Sequence, residues 1–492
     1  MTTNNNQKPK ATKAQRYTDH ALKHMTLGLA NDGQPHCYIS DHNNRIIFPL
    51  RGRKTKNWLR KEARANGEIL REDDLKEIIE DLYAHAAINE QRISIYCRVG
   101  LNNQGEPEID LGTPGRERVT FSNGIASLVE QGSDTPFIRP DSMLPLPIPA
   151  ATGCWKPLFS FLNMASVHKY LVLAWITFVI THPKGTAAYP FLVVIGPQGC
   201  GKSLFGRMIR SLVDNNAAGI QLFPKDARDL AIASRSQYVL ILDNVRSFSK
   251  NWSDVFCVFC TGGSLATRML YTDTDESLLT VHSPVIVNGI HSFIEEPDLA
   301  SRALTIYALP IDEDKRREEG ELLADLDAQL PEIFRGLLDL CAATLKEEPS
   351  AQVTDPGRMM SFCRWLAAKE VVLGMPAGKL QKAYSDNLRD AALEAVHENA
   401  LAISVLKFAK GLPEGHWIGT ATQLLGALNS LAPPQTIHRH AEWPQSPISL
   451  SKRLRRVCPL VKSQGVTFEF SHGTQRQIEV VYRPPEGQKT ID

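Results

Sequence analysis

The stretch FLVVIGPQGCGKSLFGRMIRSLV, residues 191–213, carries the clearest structural signal in the chain. Five apolar residues, typical of a buried strand, lead into Gly196-Pro-Gln-Gly-Cys-Gly-Lys-Ser203, and an amphipathic helical pattern follows at once. This is the pattern GxxxxGK[ST] between a strand and a helix, the context in which it binds phosphate groups. The stretch therefore predicts an α/β fold with a parallel sheet and a phosphate-binding loop.

The residues of this loop have separate expected roles. Its glycines allow consecutive backbone N–H groups to turn inward around phosphate oxygens, and the helix N-terminus adds positive potential. Lys202 is expected to reach the β- and γ-phosphates of ATP, and the Ser203 hydroxyl is expected to ligate Mg²⁺. The expected nucleotide contacts are Gly196, Pro197, Gln198, Gly199, Cys200, Gly201, Lys202, Ser203 and Leu204.

A second motif, Tyr238-Val-Leu-Ile-Leu-Asp243, places a carboxylate at the end of another apolar strand. At this spacing from Lys202, Asp243 is expected to hold Mg²⁺ through water, together with Ser203. The next residue is Asn244, whose amide can orient a water molecule but cannot accept its proton. Either hydrolysis is slow or another group is the general base, and Asp254 is a candidate for that role.

Two further polar residues follow along the chain. Asn288 ends the apolar run Ser283-Pro-Val-Ile-Val, where its amide either contacts the γ-phosphate and its water or only begins the turn at Gly289. Arg302 precedes the strand-like run ALTIYAL. It either enters a neighbouring subunit's site as an arginine finger or forms a surface ion pair with Asp298. The sequence leaves both pairs of alternatives open.

The regions around these motifs indicate several domains. A helix is predicted over 74–90, capped by Asp73 or Asp74, and β-type runs follow at 93–99, 107–112, 118–122 and 137–140. The Pro-rich stretch 144–153 is interpreted as a linker. Three helical patterns and two β runs at the C-terminus predict a winged-helix domain. The expected organisation is a tail (1–16), an α+β accessory domain (17–150), an ATPase core (151–310), its helical extension (311–395), the winged-helix domain (396–484) and a tail (485–492).

The ordered motifs GPQGCGKS, LILDN, TGGSLATRMLYTD (261–273), SPVIVNGI (283–290) and PDLASRALTI (297–306) resemble superfamily-three helicases, most of all the poxvirus-type and phage or mobile-element primase-helicases. The resemblance covers residues 155–310 and implies an AAA+-like P-loop NTPase core. It also implies a hexameric ring that hydrolyses ATP between subunits and translocates along DNA during replication of a phage or mobile element. On this mapping the catalytic residues are Lys202, Asp243, Asn288 as the sensor and Arg302 as the finger in trans.

The chain departs from that family in two places. Asn244 replaces the usual second acid, which bears on the rate of hydrolysis. The hairpin after Arg268 has the acidic tip Thr272-Asp-Thr-Asp-Glu276 where the family carries a basic residue, so Arg268 itself is the candidate DNA contact there. Residues 1–150 show no paired acidic primase motif, and a separate primase is therefore a candidate partner.

Positive charge is local. The chain of 492 residues has 55 Lys+Arg and 54 Asp+Glu, which argues against coating of nucleic acid by bulk charge. Two basic segments, 51–64 and 452–462, either contact DNA or are solvated surface, and Ser449 or Ser451 is expected to cap the second. The candidate DNA contacts in them are Arg51, Arg53, Lys54, Lys56, Lys452, Arg453, Arg455 and Arg456.

Composition excludes several classes of protein. With 43% hydrophobic and 22% charged residues, the chain is neither mostly disordered nor a disulfide scaffold. The N-terminus has no apolar signal region, and the longest apolar run, 170–180, is too short to cross a membrane and is interpreted as a buried helix. The nine scattered cysteines suit a reduced cytoplasmic protein. Cys257 and Cys260 form a lone CxxC that favours buried packing over a metal or redox site.

Three functional hypotheses follow from these features. The first is an ATP-dependent DNA helicase, in which ATP hydrolysis drives movement along DNA. The second is an ATP-switched DNA-binding initiator or scaffold with weak hydrolysis, which Asn244 and the acidic hairpin tip support. The third is a P-loop phosphotransferase or kinase, which would use an acceptor pocket and have no need of Arg302 in trans.

Overall fold

The computed structural model of the protein describes residues 11–30, 33–41, 44–89, 91–130, 135–268, 276–291, 293–294, 296–398, 400–433, 443–462, 464–471 and 477–484. Along the chain they form an N-terminal unit, a small antiparallel sheet, a central parallel sheet with its helices, and a C-terminal unit.

The N-terminal unit packs three helices against a three-stranded antiparallel sheet of order β1–β2–β3. Leu75, Ile78 and Leu82 are fully buried in its core, as their helical spacing predicts. The helix predicted over 74–90 is confirmed, with slightly different ends. The elements of the unit are α1 Lys13–His24, β1 Thr26–Leu29, β2 Pro35–Asp41, β3 Asn44–Pro49, α2 Arg53–Ala65 and α3 Glu72–Asn89.

The tail expected over residues 1–16 is too long, because α1 already begins at Lys13. The Thr12 hydroxyl accepts a hydrogen bond from the Gln15 backbone N–H at 3.1 Å, and the Gln15 side chain accepts one from the Thr12 N–H at 3.0 Å. This capping box satisfies two backbone donors at the start of the helix and fixes where it begins.

The second sheet is antiparallel, with order β4–β5–β6–β7. Strands predicted at 107–112 and 118–122 are confirmed. The strand predicted at 93–99 is wrong except for its last residue, and 137–140 forms only isolated bridges, through Phe137 to Tyr96 and through Ile138 to Ile47. The strands are β4 Val99–Leu101, β5 Pro107–Asp110, β6 Arg118–Ser122 and β7 Ile125–Val129.

The boundary expected near residue 150 does not separate two hydrophobic cores. Val99, Ile109 and Phe121 of the second sheet belong to the same buried cluster as the helices of the central part. The stretch 144–153 is also held in place, since the Leu146 N–H donates to the Leu111 carbonyl at 2.8 Å and the Ala150 N–H to the Pro331 carbonyl at 3.1 Å. A sheet of four short strands has too little apolar surface for a core of its own and shares that of its neighbour.

Arg98 strengthens this junction from inside the protein. Its side chain is fully buried, and its guanidinium donates to the carbonyls of Leu144 at 2.7 Å and Asn215 at 2.8 Å. It also pairs at 3.4 Å with Asp214, which follows the helix after the glycine-rich loop. Because a buried charge is costly unless it is paired and hydrogen-bonded, these contacts join the second sheet to the central part.

The central part is built on a five-stranded parallel sheet of order β14–β8–β13–β10–β9, which confirms the predicted α/β class. Strands β11 and β12 form a separate antiparallel hairpin. The elements are α4 Ser166–Val179, β8 Phe191–Ile195, α5 Lys202–Val213, β9 Gln221–Leu222, α6 Ala227–Ser236, β10 Leu240–Val245, α7 Lys250–Thr261, β11 Gly263–Arg268, β12 Glu276–Val281, β13 Val285–Gly289, α8 Pro297–Ala300 and β14 Ala303–Tyr307.

The apolar run 170–180 lies in α4 and is almost wholly buried, as predicted. In the described part of the chain, no helix combines the length and apolar character needed to cross a membrane.

Three helices continue from the central sheet, as expected for 311–395, and bury residues such as Leu337 and Trp365 against α4. They are α9 Glu319–Glu347, α10 Met360–Val372 and α11 Lys379–Glu398. Asn387 of α11 covers the exposed edge of β14. Its Oδ1 accepts from the Thr305 N–H at 2.9 Å and its Nδ2 donates to the Thr305 carbonyl at 2.5 Å. The amide thereby takes the place of a neighbouring strand.

The C-terminal unit has its own core, in which Leu424, Leu454 and Val480 are fully buried. Three helices and two strands lie in the predicted order, and a further short strand, β15, was not predicted. It pairs with the last strand to give a sheet of order β15–β17–β16. The elements are α12 Ala400–Lys410, β15 His416–Gly419, α13 Ala421–Leu431, α14 Pro447–Lys462, β16 Val466–Phe470 and β17 Ile478–Tyr482.

Candidate functional site

The loop Gly196–Ser203 lies between the end of β8 and the first turn of α5. Gly201 has φ +89° and forms the N-cap of α5, a conformation that strongly favours glycine. Gly196 has no room for a side chain, because a Cβ there would lie 2.8 Å from the Ala308 carbonyl oxygen. The loop thus wraps closely over the end of the sheet, with the N-terminus of a 12-residue helix directed at it.

Lys202 folds back into this loop. Its ammonium donates to the carbonyl oxygens of Gly196 and Pro197, each at 2.7 Å. Both partners are neutral, so the positive charge is held in place without being cancelled by a carboxylate. A cation positioned in this way can exchange carbonyl partners for the oxygens of an anionic ligand.

Ser203 and Asp243 meet beneath the loop. The Ser203 hydroxyl donates to Asp243 Oδ2 at 2.8 Å, and Asp243 Oδ1 accepts from the Asn244 backbone N–H at 2.8 Å. The two predicted metal ligands, from α5 and β10, therefore present oxygen atoms side by side. Mg²⁺ is commonly bound by one or two such protein groups together with phosphate oxygens and water, and this donor set fits it. The described residues contain no cluster of three or more His, Cys, Asp or Glu side chains arranged to hold a metal.

Asn288 lies between the two motifs because β13 lies between β8 and β10 in the sheet. Its side chain is fully buried, and Nδ2 donates to the Lys202 carbonyl at 3.2 Å and to Asp243 Oδ1 at 3.4 Å. Its Oδ1 has no hydrogen-bond partner among the described residues. A buried amide oxygen without a partner is costly, which favours a role in contacting a ligand or water over that of a turn residue alone.

These residues line a cleft of about 1060 Å³. The sequence did not reveal its other wall, which comes from the segment between β14 and α9 and includes Arg316 and Arg317. Arg316 Nη2 lies 3.7 Å from the position that a Cβ on Gly199 would occupy. The only sequence signal for these residues is an Arg-Arg pair within a strongly acidic stretch, and it does not show that the segment returns to the loop.

Asn163 was also missed. Its Nδ2 donates to the Cys200 carbonyl at 3.2 Å and to the Leu309 carbonyl at 2.6 Å. It thereby ties the glycine-rich loop to the chain leaving β14. A single Asn in a loop carries no recognisable pattern, so only the folded chain could identify it.

Arg302 does not line this cleft. Its carbonyl accepts from the Phe191 N–H, which places it at the opposite end of β8 from the loop. Arg302 Nη2 pairs with Asp298 Oδ2 at 3.0 Å, and Arg358 binds the other oxygen of the same carboxylate. Although burial opposes the shift, hydrogen bonds from Cys257, Arg302 and Arg358 lower the pKa of Asp298 to about 2. Within one chain the ion-pair alternative therefore describes Arg302, and a role in a neighbouring subunit stays a prediction.

The proposed general base Asp254 is an exposed residue of α7 and does not line the cleft. Asn244 does line it, with a left-handed φ of +59°. The carboxylates that line the cleft among the described residues are Asp243, Asp312 and Glu319, and Glu319 pairs with Arg207.

The basic segment 51–64 forms the amphipathic helix α2 rather than an open loop, and Trp58 packs beside His20. Its predicted DNA contacts are each paired with an acidic side chain. The pairs are Arg51 with Glu80 at 2.7 Å, Arg53 with Asp141 at 2.7 Å, Lys54 with Asp141 at 3.2 Å and Lys56 with Glu72 at 3.0 Å. Within one chain these four side chains therefore form exposed ion pairs, each weak on its own, and their role as DNA contacts stays a prediction.

The second basic segment lies on α14. Lys452 and Arg455 are exposed, Arg453 is half-buried, and the guanidinium of Arg455 lies 5.1 Å from the centre of the Phe470 ring. The side chain of Arg456 lies outside the described residues. The predicted caps Ser449 and Ser451 are wrong, since the cap is Ser446, whose hydroxyl accepts from the Ser449 N–H at 3.2 Å.

Arg268 ends β11 opposite Glu276 on β12. Its side chain, and the hairpin tip at 269–275 with its acidic residues, lie outside the described residues. Cys257 and Cys260 are buried in α7, and burial raises the pKa of both thiols, that of Cys257 to about 12. This supports the interpretation of the CxxC as part of the core.

No curated protein matches the sequence. Among solved structures, two A form apo structures of the NrS-1 C terminal region are similar to this chain. Each is 11% identical to it, with a TM-score of 0.39, over 95% of this chain and 98% of the other chain. A third apo structure of that region shares 11% identity and a TM-score of 0.36, over 96% and 100% of the two chains. A likeness this weak supports no conclusion about fold or function.

Two family models match the chain in adjoining segments. The model of the actinomycete integrative conjugative element replication protein, AICE RepA, matches residues 156–391. The model of the AICE RepA C-terminal domain matches residues 401–488. The first segment contains the central sheet and its helical extension, and the second contains the C-terminal unit with its separate core. Together the two segments account for most of the chain, which over these residues is similar to actinomycete integrative conjugative element replication proteins and is a replication protein of a mobile element.

Proposed function

We propose that this replication protein is an ATP-dependent DNA helicase with an AAA+-like P-loop NTPase core of superfamily-three type and a C-terminal winged-helix domain. One observation carries the proposal: Lys202, Ser203, Asp243 and Asn288 converge on one cleft from three neighbouring strand ends. Such convergence at the carboxyl ends of parallel strands is the arrangement in which α/β proteins bind ligands. The substrate would be ATP and the partner DNA at the replicating element.

The residues of the cleft suit in-line attack of water on the γ-phosphate. Lys202 would leave its carbonyl partners for the β- and γ-phosphates, and the loop N–H groups would bind their oxygens. Ser203 and Asp243 would hold Mg²⁺, which neutralises charge on the phosphates. Asn288 Oδ1, unpaired in its buried position, would accept a hydrogen bond from the attacking water. Positioning and charge neutralisation would supply most of the rate enhancement.

Arg316 would complete the cleft from the other side. Its position over Gly199 lets it reach the phosphates of a nucleotide bound on the loop, in the same subunit. Arg316→Ala should lower kcat by about tenfold while retaining a folded protein, since one charge-assisted contact to phosphate is lost. Arg364→Ala, at an exposed position of α10 outside the cleft, is the matched control.

The test of the proposal is ATP hydrolysis by the full chain with and without DNA. Wild type should hydrolyse ATP faster when single-stranded DNA is present, and Lys202→Ala should abolish that activity. Lys225→Ala, an exposed lysine outside the cleft, should leave it unchanged. Wild type that binds ATP but shows no DNA-stimulated hydrolysis would contradict the motor function.

The subunit arrangement is tested separately. A homohexameric ring predicts an increase in mass on addition of ATP. It also predicts that Arg302→Ala subunits mixed with Lys202→Ala subunits recover part of the lost activity, because one finger and one intact loop then meet at some interfaces. Failure to recover activity in mixed rings would assign Arg302 to its ion pair with Asp298 alone.

A second candidate function is an ATP-switched DNA-binding initiator with weak hydrolysis. The observation that favours it is Asn244, which lines the cleft where an acid would activate water. A strand-displacement assay on forked DNA separates the two candidates. Hydrolysis-dependent unwinding supports the helicase, whereas ATP-dependent DNA binding without unwinding supports the initiator.

A further inference from the structure

A second cleft, of about 620 Å³, lies where the N-terminal unit, the second sheet and the central part meet. It is separate from the nucleotide cleft described above and shares none of its lining residues. Clefts of this size at junctions between structural units are typical sites for small ligands or for short pieces of a larger one. The nucleotide site does not use it, although three predicted DNA contacts of the segment 51–64 line it: Arg51, Arg53 and Lys54.

The walls of this junction cleft are largely apolar and aromatic. Tyr83 of α3 and Tyr96, which precedes β4, are both half-buried in its lining, and Ile138 lies beside them. The backbones of Tyr96 and Ile138 are joined by a hydrogen bond of 2.8 Å from the Ile138 N–H to the Tyr96 carbonyl. The Tyr96 ring also lies beside Phe137, with ring centres 6.4 Å apart, whereas the Arg51 guanidinium lies over the Tyr83 ring at 4.0 Å. Tyr96 is therefore the aromatic surface on which a planar group can stack.

The lining carries more basic than acidic side chains. Its cations are Arg51, Arg53, Lys54, Arg139, Lys184 and Arg235, and Asp141 is the one acidic residue among the described residues that line it. Asp141 is shared between two of these cations, Arg53 at 2.7 Å and Lys54 at 3.2 Å. Arg51 is paired with Glu80, and Arg139 is paired with Asp110. Because one carboxylate cannot neutralise two cations, a surplus of positive charge remains at Arg53 and Lys54.

Lys184 adds charge deeper inside. Its ammonium donates to the carbonyls of Ser234 and Gln237, each at 2.8 Å, and these neutral partners leave the charge uncancelled. Burial lowers its pKa to about 8, so the ammonium is mostly protonated at neutral pH. His282 contributes no charge, because burial lowers its pKa to about 4 and its Nδ1 accepts from the Gly185 N–H at 2.5 Å.

The position of the cleft links it to the β11–β12 hairpin. Thr280 of β12 and His282 just beyond it are part of the lining. The same hairpin carries Arg268, the candidate DNA contact, at the far end of β11. A strand of DNA that follows the hairpin toward its base would reach the junction cleft.

We propose that the junction cleft binds a nucleotide unit, with the base stacked on Tyr96 and the phosphate held by Arg53 and Lys54. The surplus positive charge at the rim suits the phosphate and the aromatic wall suits the base, whereas an apolar peptide offers no group of opposite charge. The nucleotide comes either from single-stranded DNA or from a free mononucleotide. The proposal does not rest on ATP hydrolysis in the first cleft.

The test measures binding of fluorescein-labelled oligo(dT) by anisotropy in the full chain carrying Lys202→Ala, so that the phosphate-binding loop is disabled throughout. Adding Arg53→Glu and Lys54→Glu should weaken binding by about tenfold, because two phosphate contacts are reversed in sign. Lys61→Glu, on the same helix but outside the cleft, should change affinity by less than about twofold. Equal effects of the two variants would overturn the proposal.

A second variant and a cross-linking experiment distinguish loss of the binding site from unfolding of the protein. Ile138→Trp, which fills the cleft without changing charge, should also weaken binding at an unchanged melting temperature. Photo-cross-linking of oligo(dT) containing 5-iododeoxyuridine should label the peptide that contains Tyr96. Labelling confined to other peptides would overturn the proposal. Competition by dTMP would identify a free nucleotide as the ligand, and competition only by unlabelled oligo(dT) would identify the DNA strand.

Discussion

The glycine-rich loop and helix α2 both present basic side chains, yet the structure treats them differently. Lys202 donates to two neutral carbonyls and keeps its charge available. On α2, Lys56 and Arg60 both bind the carboxylate of Glu72. The difference shows that a basic residue within a geometric motif is placed by the backbone around it. The side chains of a basic cluster that is recognised only from composition can instead form ion pairs with acidic residues elsewhere in the sequence.

The largest effect is expected from Asp243→Asn, which keeps the shape of the side chain and removes its charge. ATP binding should be largely retained, whereas hydrolysis should fall by about 10³-fold because the expected Mg²⁺ partner is lost. Steady-state ATPase kinetics with a nucleotide-binding assay measures both. Asp327→Asn, an exposed residue of α9, is the control. Equal ATPase rates for Asp243→Asn and Asp327→Asn would show that Asp243 is not needed for hydrolysis. The cleft below the glycine-rich loop would then have no more claim to a catalytic role than α2 has.

Asn288→Ala is expected to lower kcat by about 10²-fold with little change in KM, since the loss falls on the positioned water rather than on nucleotide binding. The buried position of Asn288 makes a stability measurement necessary, and thermal unfolding supplies it. Asn251→Ala on the exposed face of α7 should have no effect on either quantity. A drop in melting temperature with unchanged kcat would make Asn288 a structural residue.

Lys369 extends the comparison because, among the described residues, its ammonium has neither the carbonyl partners of Lys202 nor a carboxylate partner like that of Lys56. Its Nζ is buried, lies 4.7 Å from the centre of the Trp365 ring and has no hydrogen-bond partner among the described residues. Lys369→Met should stabilise the protein by about 1–2 kcal/mol at neutral pH, because an unpaired buried ammonium is replaced by an apolar chain. Lys379→Met, at an exposed position on α11, should not.

The same variant has a pH signature. Burial lowers the pKa of Lys369 from 10.5 to about 7, so the unfolded chain binds more protons than the folded one between those values. Wild-type stability should therefore gain a contribution from this group as pH rises from 7 toward 10.5, and Lys369→Met should lose that contribution. Urea unfolding at several pH values measures the difference. An unchanged slope would show that Lys369 is solvated in the folded protein.

The smallest effect is expected on the part of α2 that carries Lys56 and Arg60, neither of which lines the junction cleft. Replacing Lys56 and Arg60 by Ala should change DNA affinity by less than about twofold, since both side chains pair with Glu72. Replacing the exposed Lys452 and Arg455 of α14 should weaken binding by about tenfold and reduce its salt dependence. Fluorescence anisotropy across a salt series compares the two. The reverse order of effects would move the DNA contacts from the C-terminal unit to Lys56 and Arg60.

The local sequence pattern was sufficient to predict an element where that element is long or contains a motif with a fixed backbone geometry. The strand β8, the buried helix α4 and the helix α3 all follow from apolar spacing. The local pattern did not predict short elements at the edge of a sheet. Strand β15, for example, has only four residues and depends on pairing with β17. The cap of α14 at Ser446 was missed because two later serines offered the same signal.

The domain organisation was predicted in part. The C-terminal unit has a separate core, as expected, because its helices and strands are close in sequence and bury one another. The domain boundary predicted near residue 150 does not separate two cores. A Pro-rich stretch suggests a linker even where the segments before and after it pack into one hydrophobic core. Leu146 within that stretch is buried in the cluster that joins the second sheet to the central part.

At the candidate nucleotide site, the chain's linear pattern was enough for the chemistry of each strand end: a lysine and a serine after β8, a carboxylate on β10 and an amide on β13. Which of these residues lie next to one another was decided only by the tertiary structure. The strand carrying Asn288 inserts between the other two although it comes last in the chain, and the segment with Arg316 returns to cover the loop. The physical reason is that spacing along the chain constrains residues a few positions apart. Strand order and ion-pair partners instead depend on which surfaces bury one another, and those surfaces join residues far apart in sequence, such as Arg98 and Asp214, which are 116 positions apart.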